Sequence, residues 1–92
     1  MIFTKQINLI RSRVEEIEAN PATARREAQL LKARVGNVIE EGLKLKTKAN
    51  KAEVEPVLVM LQDVENLLAE MAAGSDEETL FEDIYENLDS KL

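Results

Sequence analysis

Carboxylates at helical spacing are the side chains of this sequence best placed for chemistry. Glu15 and Glu18, Glu40 and Glu41, and Glu78 and Glu82 stand in pairs of the kind that act as general acid and base or hold a metal ion. Di-metal carboxylate bundles complete such pairs with Glu-x-x-His, and this chain has no His. It therefore lacks the commonest general base and the commonest transition-metal ligand. With no Cys it has no thiolate nucleophile either, and no disulfide. The three glycines, Gly36, Gly42 and Gly74, stand far apart, and none belongs to a phosphate-cradling G-x-x-x-x-G-K loop. Helical spacing puts the paired acids on polar faces, where solvation explains them. The expectation is a protein that is not an enzyme, with no catalytic residues, no cofactor and no metal.

Phosphate recognition is the second chemistry to weigh. Arg25, Arg26, Lys32, Arg34, Lys44, Lys46 and Lys48 form a basic stretch that could track a nucleic-acid backbone. Glu27, Glu40 and Glu41 interleave with it, and no aromatic residue stands among them for base stacking. The net charge of −6 also opposes nucleic acid. That total hides an asymmetry: residues 1–51 carry 11 Lys and Arg against 6 acids, and residues 52–92 carry Lys91 alone against 12 acids. A basic helix over 21–51 shielded by an acidic tail, or an acidic mimic of nucleic acid, is the alternative function this layout suggests.

The third chemistry is that of an amphipathic helix seeking a surface. Leu80, Phe81, Ile84, Tyr85 and Leu88 fall on one face of the closing segment, with acids filling the other. Ser75-Asp-Glu-Glu78 before them has the spacing of a capping box, and Asp76 and Glu77 suit the positive end of a helix dipole. Such a helix docks on its own bundle, enters a groove on a partner, or clamps the basic half of its own or a sister chain. Exposed charge pairs contribute little each, so apolar contacts must supply most of the docking.

The elements that carry these residues follow from apolar spacing. Phe3, Ile7, Ile10, Val14 and Ile17 recur at steps of 4, 3, 4 and 3, a heptad seam. Asn20-Pro21 interrupts it as a corner or a kink. Asn20 is a good N-cap, with Pro21 at the first helical position. Ala24, Ala28, Leu31, Val35, Val38, Gly42, Leu45 and Ala49 continue the same phase, so a kinked continuous helix competes with a turn. Pro56 marks the cleanest start of the next helix, whose stripe of Val57, Leu61, Val64, Leu68 and Met71 ends at Gly74, a good residue for a C-terminal stop. Helices are predicted over 2–19, 21–48, 56–73 and 76–90.

With 3% aromatic residues the core must be aliphatic, and a chain of 92 residues is a marginal monomer. The fold class read from this pattern is all-α. It is an antiparallel helical bundle or hairpin with coiled-coil-like seams, three long helices plus a shorter acidic one. Residues 1–74 form the bundle and 75–92 the acidic amphipathic helix. No stretch is long enough to span a bilayer, and the N-terminus lacks the apolar run of about 7 residues that a secretory signal needs, so a cytoplasmic protein with no membrane partner is expected. The function expected is a protein–protein interaction module: a small adaptor, assembly chaperone or regulator. Its partner is another protein, itself included as a homo-oligomer. Leu80, Phe81, Ile84, Tyr85 and Leu88 are the candidate partner-binding residues. Ile7, Ile10, Val14, Ile17, Leu31, Val35 and Val38 are the candidate self-association residues.

Overall fold

Phe3, Ile7, Ile10, Val14 and Ile17 do form one buried stripe, along a helix α1 spanning Thr4–Ala19. The computed structural model describes residues 3–74 and 77–92. Over these residues α1 is followed by a short 3-10 turn, Pro21–Thr23, and then by helices α2 (Ala24–Leu45), α3 (Lys51–Ala72) and α4 (Glu77–Asp89), with no strand among the described residues.

The corner at Asn20 is a reversal and not a kink. Asn20 leaves the helical region and its amide donates to Ile17 O, which ends α1. Phe3, at the start of α1, lies beside Gly42, near the end of α2, so the two helices run antiparallel. Gly42 also faces Leu58, Gly36 faces Glu65, and Gly74 faces Arg25, so α2 and α3 are antiparallel as well. Tyr85 and Asp89 of α4 reach Glu18 and Arg11 of α1. Each helix touches the next in sequence, and α4 returns to α1. The result is an up-down-up-down bundle, 44 × 20 × 18 Å. α2 and α3 are the most intimately packed pair, as the small residues Ala24, Ala28 and Gly42 in the α2 stripe allow.

Two boundaries, on either side of the α2–α3 turn, differ from the sequence reading. α2 stops at Leu45 rather than 48, and the seam positions Leu45 and Ala49 are exposed. Asn50 accounts for the break. Its side-chain oxygen accepts from Thr47 N at 2.6 Å, and its side-chain nitrogen donates to Leu45 O at 3.1 Å, which closes the α2–α3 turn. α3 starts at Lys51, five residues before Pro56. Proline forfeits its own amide bond, which would run back to the carbonyl of Ala52, and its ring crowds that carbonyl; both residues are exposed, so the carbonyl can turn out to water. Val54, fully buried, anchors the extra turn.

Gly74 ends the third helix segment as expected. Its φ of +94° lies in the left-handed region, and an added Cβ would stand 2.8 Å from the Arg25 guanidinium. The capping box proposed at Ser75 falls outside the described residues. One apolar core joins all four helices, and no buried side-chain nitrogen or oxygen in it lacks a hydrogen-bond partner among the described residues. No helix is long and apolar enough to cross a membrane among the described residues.

Candidate functional site

The candidate partner-binding residues are inside the bundle. Leu80, Phe81, Ile84 and Leu88 are buried in the shared core, so α4 spends its apolar face on its own chain. Tyr85 sits at the edge of that face, half-buried, with its hydroxyl donating to Glu18 Oε1 at 2.9 Å. Burial first, then the hydrogen bond to Glu18 and the nearby Glu18 and Glu15 charges, push the Tyr85 pKa up to about 12. Arg11 opposes that shift: its guanidinium lies 5.0 Å from the Tyr85 ring centre. The same guanidinium donates to Asp89 at 2.8 Å and pairs with Glu15, which raises its own pKa, chiefly through the Asp89 hydrogen bond. These contacts make a polar clasp between α1 and α4 on the surface of the bundle.

The candidate self-association residues are likewise consumed. Ile7, Ile10, Val14, Ile17, Leu31 and Val35 are buried and Val38 packs partly against the core. A second chain cannot reach them while the bundle is closed.

The candidate nucleic-acid residues do not gather into one stripe. At about 100° per residue, Arg25 and Arg34 emerge on opposite sides of α2. Lys32 is half-buried, Lys44 and Lys48 are exposed, and Lys46 pairs with Glu55 of α3 at 3.3 Å. Nor does the acidic helix cover them. α4 packs on α3 and α1, and among the described residues it makes no close approach to α2. The carboxylate pairs are also parted: Glu15 turns to Arg11 and Glu18 to Tyr85, while Glu40, Glu41, Glu78 and Glu82 are exposed. Among the described residues no group of three or more acidic side chains is placed to hold a metal ion.

A different surface emerges from the antiparallel packing of α1 on α2. Between them runs an open cleft of about 570 Å³, with Ile17 and Leu31 at its floor and Arg13, Glu16, Glu27 and Arg34 along its walls. Leu30 stands on its lip, 61% exposed. Leu9, 53% exposed, lies on the same flank of α1 as Arg13 and Glu16, which follow it by 4 and 7 residues. Leu30 escaped the sequence reading because its neighbour Leu31 satisfies the seam. The signal that marks it is a leucine off the heptad phase, bracketed at helical spacing by Glu27 and Arg34. Comparison with known proteins gives no further assignment: no protein-family model, curated protein or solved structure matches the chain.

Proposed function

We propose that this chain is a non-enzymatic, cytoplasmic protein–protein interaction module, a small adaptor, assembly chaperone or regulator, that binds its partner through the cleft between α1 and α2. The observation that carries this reading is Leu30, largely exposed on the lip of a cleft with an apolar floor. Single exposed leucines are ordinary on protein surfaces. A leucine beside a concave apolar floor with charges of both signs on its walls has the layout of a helix-receiving groove: apolar anchors in the middle, polar groups at the rim. The bundle supplies rigidity, since all four helices share one core beneath the cleft.

Photo-crosslinking tests it. A photoreactive side chain placed at Leu30 is expected to give adducts of discrete mass in cell extract. The matched control is Val59, 62% exposed on the outer face of α3. Equal, diffuse labelling from both positions would remove the cleft from consideration.

A further inference from the structure

The cleft and the leucine on its lip share one surface, and that surface is self-complementary. Along α2, Glu27 precedes Leu30 by three residues and Arg34 follows it by four, so all three project from one side of the helix. At about 1.5 Å of rise per residue, the acid lies about 4.5 Å to one side of Leu30 and the base about 6 Å to the other. Two copies of α2 crossing antiparallel at Leu30 would bring each Arg34 within about 1.5 Å of axial register with Glu27 of the other copy. α1 repeats the arrangement. Phe3 beside Gly42 fixes the antiparallel register of α1 on α2. Counting back from there at equal rise sets Leu30 level with the turn between Arg13 and Glu16. The same twofold rotation therefore opposes each Arg13 to Glu16 of the second copy.

Shape agrees with charge. Leu30 projects from the lip, and the cleft beside it is open down to Ile17 and Leu31. A twofold axis near Leu30 carries each leucine towards the other copy's cleft. Knob and hole on one patch give an isologous contact, which closes at two copies and does not propagate. The existing ion pairs leave these charges free to re-pair. Arg34 makes no ion pair among the described residues. Arg13 holds Glu16 only at 3.5 Å, and Arg26 holds Glu27 at 3.7 Å.

Net charge favours the same face. Two copies of a chain carrying −6 repel each other. The cleft walls bear two arginines and two glutamates, and the acidic α4 lies diagonally across the bundle from α2. A strongly basic partner would instead be drawn to the α3–α4 side. The long faces of the 44 × 20 × 18 Å bundle are also large enough for the roughly 800 Å² per partner of a standard interface.

We propose that the α1–α2 face is a homodimer interface. A second copy of this chain packs antiparallel across α2, each Leu30 enters the other copy's cleft, and Arg34 pairs with Glu27 of the second copy. This rests on the cleft being a protein-binding surface and names its occupant.

Sedimentation equilibrium of the full chain tests the proposal. The mass is expected to rise with concentration from 10.4 kDa towards twice that value. Leu30→Glu is expected to hold it at the monomer mass. Glu27→Arg and Arg34→Glu, each placing like charges opposite one another, are expected to weaken association by about tenfold or more. The double exchange Glu27→Arg with Arg34→Glu is expected to restore it. None of the three positions is buried, and circular dichroism confirms that each variant keeps its helices. Dimerisation indifferent to Leu30→Glu, or a double exchange no better than the single ones, overturns the interface. A chain that stays monomeric at every concentration while position 30 cross-links to a different protein overturns the homodimer and leaves protein binding by the cleft intact. Monomer throughout with no discrete adduct overturns both.

Discussion

Tyr85 illustrates what a single residue gains from an edge position. Its ring lies beside Arg11 and packs against the core, and its hydroxyl reaches Glu18 on the neighbouring helix. The apolar stripe of α4 placed Tyr85 on the correct face in the sequence. Its partner was not legible, because Glu18 is 67 residues away and only the closure of α4 onto α1 brings them together. A pKa raised to about 12, against the ordinary value of 10.0, means that the folded chain holds the phenolic proton more tightly than the unfolded chain does. The sign is fixed by that order: the stabilisation is complete below pH 10, shrinks as pH rises from about 10 to about 12, and is gone above it. The chain has one Tyr and no Trp, so ultraviolet absorbance reads this titration without interference. The expected phenolate midpoint lies near 12, and Glu18→Gln is expected to lower it. Tyr85→Phe is expected to cost about 0.5–1 kcal/mol near neutral pH, the range for one modest hydrogen bond. In denaturant melts compared at several pH values, that deficit is expected to shrink as pH rises above 10, because only the wild-type chain then loses stability to phenolate formation.

At the scale of elements, heptad phase proved a better guide than punctuation. The steps of 4 and 3 gave the buried stripes of α1, α2 and α3, because a fixed apolar period must face a fixed neighbour. Pro56 misled as a start signal. Val54, three residues before Val57, carries the α3 phase back through the proline, and it is the burial of Val54 that holds the first turn in place. The α2 end failed in the opposite direction: Leu45 and Ala49 keep the phase, but Asn50 and Thr47 close a turn there. The two helical glycines of α2 differ in the same physical sense. An added Cβ at Gly36 meets only the carboxylate tip of Glu65, a flexible and partly exposed side chain. At Gly42 it would stand 2.5 Å from Leu58 Cδ2 and 3.3 Å from Phe3 Cζ, both in the core. Gly36→Ala is therefore expected to stabilise the protein by about 1 kcal/mol through helix propensity alone. Gly42→Ala gains the same propensity and pays an overpacking cost of about 1–3 kcal/mol, for a net loss of about 1 kcal/mol. Urea melts of the two variants are expected to move in opposite directions.

At the scale of the molecule, the acidic segment is the fourth wall of the bundle. The sequence separated residues 75–92 from the rest at the Gly74 stop and the capping-box spacing after it, and neither signal shows where an apolar face is buried. Leu80, Phe81, Ile84 and Leu88 belong to the same buried cluster as Ile7, Val14, Leu61 and Leu68. The acids of α4 stay outside, and the clasp of Arg11 with Asp89 only trims the edge. Burying one such side chain contributes about 1.5–3 kcal/mol, so the four together contribute roughly 6–12 kcal/mol. Net stabilities of domains are about 5–15 kcal/mol, and small domains sit near the low end. Removing α4 also uncovers the sides of α1 and α3 on which it packs. The chain truncated after Gly74 is therefore expected to lose its cooperative thermal transition and to bind a hydrophobic dye, while keeping part of its helical circular dichroism. The opposing result is specific: a truncated chain that melts as sharply as the full chain would make α4 a detachable arm rather than a wall. Its face would then be free for a partner. The four-helix core predicts instead that α4 and the first three helices unfold together, with amide exchange in Ile84 and Leu88 as slow as in Leu61 and Leu68.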